Sequence, residues 1–254
     1  MNLTEFLPAN AFGFMLVFAR IGSAMMLLPG FGEVYVPQRY RLLFALIFSA
    51  LLLPMLSPIL PALPASPAAL VLVLGGELVI GVFIGTLTRL LLAALQMAGQ
   101  VVSIQMGLSN AQIFNPMQAD QDSIPSAFYG ILGVLLIFLT NLHHVMLRGL
   151  VDSYAVFVPG HLPPVGDLSQ TVAHAVAASF RLAIEIASPF IVLGTVFFIG
   201  LGLIARLVPQ LQVLFITQPL QIMGGLLLMG LIAAAGMGWF LQVFAQQFQM
   251  IIPG

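Results

Sequence analysis

Ionisable side chains are so scarce in this sequence that they restrict the fold more than any motif does. Seven Lys or Arg and eight Asp or Glu residues are spread over 254 positions, which is 6% of the chain. A soluble domain carries roughly a quarter charged residues because its surface must be hydrated. A chain with so little charge cannot cover a globular surface, so we expect its surroundings to be lipid or other protein within a membrane complex.

Long apolar segments separated by prolines and glycines indicate an all-α membrane protein. About 20 apolar residues are needed to cross a hydrocarbon core of about 30 Å. The candidate helices cover residues 12–28, 42–56, 70–95, 128–142, 172–205 and 220–248. The longer loops are expected at 57–67, 107–126 and 151–169. Proline lacks an N–H and clashes with the preceding turn, so Pro189 should kink the fifth segment and Pro209 and Pro219 should break the last stretch.

The pattern predicts one membrane domain covering residues 1–254, with five or six helices in hairpin-like pairs. The N-terminus lacks the basic region of a cleaved signal peptide, so we expect the first apolar segment to remain as a membrane helix. Arginines in the short loops are too few to fix the orientation in the membrane.

Five ionisable residues interrupt the apolar segments: Arg20, Glu77, Arg89, Arg181 and Glu185. Each costs about 2.5–3.5 kcal/mol at the centre of a membrane helix on insertion scales. Arg181 and Glu185 stand four residues apart, so they lie on one helical face and can neutralise each other. Two interpretations stay open for the group, a proton or ion pathway and structural pairing in the protein interior or a water-filled lumen. Structural pairing is the simpler of the two.

Glycines recur on three of the segments and indicate close helix packing. Gly81 and Gly85 form a GxxxG step, the spacing that lets two helix backbones approach each other in lipid. The packing is expected within this chain or with partner subunits.

The sequence contains no recognisable catalytic motif. It has no cysteine, and it contains no nucleophile elbow, P-loop or Gly-rich dinucleotide turn. His143 and His144 are adjacent, so on a helix they point about 100° apart and do not form one metal-binding face. We therefore predict no enzymatic activity, no cofactor and no metal. The net charge of −1 offers no basic face to nucleic acid.

The least hydrophobic stretch, residues 107–126, combines chain breakers with soft apolar side chains. The breakers are Gly107, Asn115-Pro116 and Pro125, and the apolar residues are Met106, Ile113, Phe114 and Met117. Methionine is flexible and polarisable, so it seals irregular gaps. A plug in a pore and an ordinary solvated loop are both compatible with this composition.

Four blocks of the sequence together resemble the FliR family of the type III secretion export apparatus, which flagella and injectisomes share. They are ARIGSAMMLLPGFGEVYVPQRYRLLFAL at 19–46, GELVIGVFIG at 76–85, QMAGQVVSIQMGLSNAQIFNP at 96–116 and LGLIARLVPQLQVLFITQPLQIMGG at 201–225. They occur in the family order over most of the chain. The four blocks in combination are specific for this family, whereas one block alone would be weak evidence for it.

The resemblance implies kinked helical hairpins in a helical export-gate assembly with FliP and FliQ, with FlhB around it and FlhA as a further partner. Such a gate is a closed pore in the bacterial inner membrane, within the flagellar basal body and with much of the assembly at periplasmic level. It exports unfolded flagellar proteins. Asn115 and Ala205 stand where the family commonly has Asp and Asn, so no side-chain role is carried over to them.

The same resemblance implies that the stretch from Met106 to Ser126 is the pore plug. The residues that we expect to close the pore are Met106, Gly107, Leu108, Ile113, Phe114, Pro116 and Met117.

Two other functions compete with the export gate. A stand-alone small-molecule transporter would be stable by itself and would favour inverted repeats, of which the sequence shows no convincing example. A membrane-embedded enzyme would need a metal held through His143, His144 and Asp152. A gate subunit should instead need FliP and FliQ for stability.

Overall fold

Helices make up the regular structure of the computed structural model, which describes residues 3–108, 123–161, 165–207 and 213–251. They are α1 (Leu3–Met25), α2 (Gln38–Leu56), α3 (Pro67–Gln105), α4 (Ile124–Leu139), α5 (Leu142–Val156), α6 (Val165–Leu207) and α7 (Val213–Ile251). A 3₁₀ turn, Ser57–Ile59, follows α2, and these ranges contain no strand. The prediction of an all-α fold is confirmed.

Four helical segments are long and apolar enough to cross a membrane: α2 with its 3₁₀ turn, α3, α6 and α7. The pair α4 and α5 counts as a fifth if it is taken as one broken span. In the most apolar stretches of α6 and α7 only 17% and 11% of the residues are buried within the chain. Lipid or other protein must cover the remaining surface, so the membrane prediction is confirmed as well.

The loop predicted at residues 151–169 is wrong, because α5 continues to Val156 and α6 already begins at Val165. The buried side chains of α5 include Met146, Leu150 and Ser153, which recur every three or four residues and form one helical face. The polar residues between them lower the hydropathy of the helix and hide it from a search for apolar segments. Asn141, with φ of 59°, separates α5 from α4.

The predicted break at Pro219 is also wrong, because α7 begins at Val213 and includes this proline. A proline inside a helix removes one main-chain hydrogen bond, and in membrane helices neighbouring groups compensate for that loss. Pro189 lies inside α6 in the same way. Its kink stays a prediction.

The chain divides into two compact units. The first unit consists of Met1–Leu90, Asn141–Ala175 and Gln246–Gly254, and the second of Leu91–Thr140 and Val176–Ala245. Helices α3, α6 and α7 each contribute residues to both units. That residues 1–254 act as one domain stays a prediction.

In the first unit, the GxxxG step of α3 packs directly against α1. A Cβ atom on Gly81 would overlap the main-chain oxygen of Arg20 and the hydroxyl of Ser23. A Cβ atom on Gly85 would come within 2.8 Å of the main-chain oxygen of Ala24. The two glycines therefore let the α1 and α3 backbones approach each other, as the sequence predicted for close packing within the chain.

In the second unit, glycines bring α3 against α4. A Cβ atom on Gly99 would overlap the main chain of Pro125 and Ser126 at the start of α4, and one on Gly133 would overlap Leu95. Other glycines have no described neighbour within 4 Å of such an atom: Gly200 and Gly202 of α6, and Gly224, Gly230 and Gly238 of α7. These five glycines therefore lie on surfaces that the described chain leaves open.

Replacing Gly81 with Ala should loosen the contact between α1 and α3. The added methyl group overlaps backbone atoms that cannot rotate away, so we expect a loss of about 1–3 kcal/mol. Thermal unfolding of the detergent-solubilised protein measures the effect. Gly75→Ala in the same helix is the control, because a Cβ atom there meets open space. Equal melting temperatures for the two variants would contradict the packing described.

Candidate functional site

A fully buried ion pair joins α1 to α3 in the first unit. Arg20 Nε donates a hydrogen bond to Glu77 Oε2 at 2.6 Å, and the two side chains are 0% and 2% exposed. Isolated charges so deep in a protein are strongly destabilised, whereas a paired and hydrogen-bonded set is tolerated. Two of the five ionisable residues that interrupt the apolar segments are thus paired with each other.

The rest of the Arg20 guanidinium is bound by α5 and the residue after it. Nη1 donates to the main-chain oxygen of Ser153 at 3.2 Å, and Nη2 donates to that of Phe157 at 2.9 Å. The guanidinium carbon lies 4.0 Å from the centre of the Tyr154 ring, a distance at which a cation and an aromatic face attract. One side chain therefore holds three helices together.

The positions of these groups follow from helix periodicity. Glu77, Gly81 and Gly85 are four residues apart, so they form one stripe along α3. The two glycines allow the α1 backbone to approach α3. Glu77, one turn before Gly81, then lies within hydrogen-bond distance of Arg20 on α1. Ser153 and Phe157, also four residues apart, accept through their main-chain oxygens. Every residue has such an oxygen, so the sequence does not identify these two as partners of Arg20.

A second ion pair lies on the outside of the second unit. Arg181 Nε donates to Glu185 Oε1 at 2.7 Å, four residues along α6 as the spacing predicted. Trp239 of α7 donates its Nε1 hydrogen to Glu185 Oε2 at 2.9 Å. The Arg181 side chain is 81% exposed. Sequence reasoning missed Trp239, although its status as the only tryptophan was a signal.

Arg89 differs from the other four ionisable residues. It is exposed on α3, and no described acid lies within ion-pair distance of it. The rings of His143 and His144 lie with their centres 4.1 Å apart and are tilted by 40° to each other. Among the described residues, no group of three or more His, Cys, Asp or Glu side chains is arranged to hold a metal ion.

The turn at Met106 ends α3 and leads into the predicted plug segment. Gly107 has φ of 75°, the left-handed conformation that glycine adopts without strain. Its N–H donates to the Ile104 oxygen, and the N–H of Leu108 donates to the Ser103 oxygen, each at 3.0 Å. These two bonds form a Schellman cap, which satisfies main-chain oxygens at a helix end.

Helix α7 holds this turn from the other side. The amide nitrogen Nε2 of Gln221 donates to the main-chain oxygen of Gln105 at 2.7 Å. Met106 is buried, and a Cβ atom on Gly225 would overlap its side chain. The Gln105 side chain occupies the space beside Gly194 of α6 in the same way. The close contacts at Gly194 and Gly225 and the hydrogen bond from the Gln221 side chain thus fix the end of α3.

An apolar cavity of about 200 Å³ adjoins the turn in the second unit. It is lined by Gln105, Met106, Phe190, Leu193, Gly194, Phe197, Leu220, Gln221, Gly224 and Gly225.

Of the predicted plug residues, Met106, Gly107 and Leu108 belong to this turn, whereas Ile113, Phe114, Pro116 and Met117 lie outside the described residues. Sequence reasoning missed the roles of Gln221, Gly194 and Gly225. Nothing in the sequence pairs these three residues with Met106.

Replacing Glu77 with Leu should destabilise the first unit strongly. The Arg20 charge would remain buried without its partner, a change that costs about 3–5 kcal/mol in proteins. Asp152→Asn is the control, since it removes the partner of Arg148 in a pair that is 3.7 Å apart and has an 82% exposed arginine. Thermal unfolding in detergent should show a large loss for the first variant and little change for the second. A loss of similar size in both would refute the importance of burial.

Comparison with known proteins identifies the family. Residues 11–248 match the family described as bacterial export proteins, family 1. The flagellar biosynthetic protein FliR of Caulobacter vibrioides is 35% identical over 225 residues, which cover 88% of this chain and 90% of the relative. The FliR proteins of Bacillus subtilis and Aquifex aeolicus are 28% and 27% identical, over 87% and 85% of this chain and 84% and 83% of their own lengths. The chain therefore belongs to the FliR family of bacterial export proteins.

Proposed function

We propose that this chain is a non-enzymatic subunit of the flagellar type III protein export gate. In this proposal it forms, with FliP and FliQ, the closed pore through which unfolded flagellar proteins are secreted. Its place in the flagellar export apparatus rests on family membership along residues 11–248 and on the 35% identity to a flagellar FliR. Its role in closing the pore rests on the Met106 turn.

The observation that supports the proposed gate is the set of contacts that hold the turn at Met106, where the proposed plug segment begins. A segment that blocks a pore needs a rigid attachment, because a freely moving end would lose its position on each opening. The turn has such an attachment in the Schellman cap of Gly107 and the bond from Gln221 to the Gln105 oxygen. Met106 adds an apolar contact in the notch at Gly225.

The attachment is also weak enough to be released. A neutral hydrogen bond contributes about 0.5–1.5 kcal/mol net, and the methionine side chain can change rotamer within the cavity beside it. An arriving substrate would then displace residues 107–126 without unfolding α3. We assign pore closure to Met106, Gly107, Leu108, Ile113, Phe114, Pro116 and Met117.

The ionisable residues are assigned structural pairing. Arg20 and Glu77 hold helices of the first unit together, and Arg181 and Glu185 neutralise each other on α6. Arg89, exposed on α3, is assigned a partner on another subunit of the assembly. In this proposal none of the five carries protons or ions.

Membership of the FliR family supports the proposed partners and location. We propose contacts with FliP, FliQ, FlhB and FlhA in the bacterial inner membrane, with much of the assembly at periplasmic level. Contact with lipid is supported by the open apolar surfaces of α6 and α7. No cofactor or nucleic acid enters this function.

Gln221→Leu should make the gate leaky. The substitution keeps the volume of the side chain approximately and removes the bond to the Gln105 oxygen, so the Met106 turn loses part of its attachment. We expect a higher ion conductance when the assembled complex with FliP and FliQ is inserted into a planar lipid bilayer. Gln242→Leu is the control, because Gln242 is an exposed residue of the same helix.

Deletion of residues 109–122 is the stronger form of this test and should open the pore further. If the assembled complex with this deletion conducts no more than the unaltered complex, the plug role is wrong. A leak of equal size from Gln221→Leu and Gln242→Leu would refute the attachment through Gln221 and leave the deletion to test the plug itself.

A further inference from the structure

Arg181, Glu185 and Trp239 form a hydrogen-bonded cluster that the proposed closure of the pore does not use. Glu185 accepts one hydrogen bond from Arg181 and one from Trp239, so both carboxylate oxygens are occupied. The cluster lies at the surface, because the Arg181 side chain is 81% exposed and Trp239 is 46% exposed. The two terminal nitrogens of Arg181 make no hydrogen bond within the described chain.

The cluster stands at one end of an apolar stretch in both helices. In α6, residues 186–205 carry no charge and are followed by Arg206. A helix of about 20 residues is about 30 Å long, which equals the thickness of the hydrocarbon core. In α7, residues 220–238 are uncharged and run up to Trp239, after which Gln242, Gln246 and Gln247 follow.

Apolar side chains point outward along the same stretches. Val192, Val196, Ile199 and Leu203 of α6 are each 61–64% exposed, and their spacing of three or four residues places them on one face. On α7, Leu220, Leu227 and Leu231 are 56%, 65% and 80% exposed. These exposed faces are apolar and about as long as the hydrocarbon core is thick, so lipid chains can cover them.

We propose that Arg181, Glu185 and Trp239 form a lipid anchor that fixes α6 and α7 at the membrane–water boundary. Tryptophan concentrates at this boundary because its ring is apolar and its N–H is polar. Arginine presents paired donors that match the oxygens of a phosphate group. Glu185 orients both side chains, and the terminal nitrogens of Arg181 bind the phosphate of a phospholipid headgroup.

The anchor depends on membrane insertion of α6 and α7 and not on the export gate. A failure of the plug experiments would therefore leave it intact, and its own failure would not affect the plug. The alternative occupants of the surface are a partner subunit and bulk water. Either occupant would keep lipid away from Trp239, so quenching of Trp239 by lipid distinguishes the proposed anchor from both alternatives.

The only tryptophan of the chain is a built-in probe of its depth. The full chain is assembled with FliP and FliQ in which any tryptophan is replaced by phenylalanine, and the complex is reconstituted into vesicles of phosphatidylcholine and phosphatidylglycerol. Part of the phosphatidylcholine is brominated either near the headgroup or near the chain ends. We expect Trp239 fluorescence to be quenched more by the shallow bromines. Stronger quenching by the deep bromines, or no quenching by either lipid, would overturn the proposal.

Arg181→Gln tests the phosphate contact separately. Loss of the guanidinium should lower the ratio of shallow to deep quenching, because the ring is no longer held at the headgroup. Arg148→Gln is the matched control, since Arg148 also forms an exposed pair with an acid four residues on, in a different helix from Trp239. Far-ultraviolet circular dichroism verifies that both variants keep their helices. An unchanged ratio in folded Arg181→Gln would refute the phosphate contact.

Discussion

Arg20 has no exposed surface, yet it carries a full charge in a chain that places few charges anywhere. The cost of burying it is offset by Glu77, by main-chain oxygens of Ser153 and Phe157 and by the face of Tyr154. Because those groups come from separate helices, the requirement to satisfy one guanidinium fixes the arrangement of α1, α3 and α5. In lipid, where apolar surfaces alone do not select one packing over another, a polar contact of this kind supplies the specificity.

Glycines allow close contacts along the first half of α3 and at its C-terminal end, and an amide hydrogen bond is added at that end. The GxxxG step brings α1 close enough for Arg20 to reach Glu77, and the notches at Gly194 and Gly225 receive Gln105 and Met106. The amide of Gln221 satisfies a main-chain oxygen that the helix end leaves free. Helix α3 is therefore held by a buried ion pair near its start and by a neutral hydrogen bond and apolar contacts at its end.

Much of the fold could be predicted from the sequence, because charge scarcity and apolar length act locally. The helices α2, α3, α6 and α7 follow from them, and so does the pairing of Arg181 with Glu185 by spacing alone. The polar residues of α5 mask its amphipathic pattern, and Pro219 is accommodated inside α7, so the sequence alone predicts neither the extent of α5 nor the start of α7. The partners of Arg20 and of the Met106 turn are more than 50 residues distant along the chain, or are main-chain oxygens, which residue identities do not reveal.

Arg20 and Glu77 should stabilise the first unit as a pair and not as two separate side chains. A double-mutant cycle with Arg20→Leu, Glu77→Leu and the double variant measures it directly through the free energies of unfolding in detergent. The account predicts that the double variant loses less stability than the sum of the single losses, with a coupling energy toward the upper end of the range of about 0.5–3 kcal/mol seen for contacting residues. Losses that simply add would contradict it.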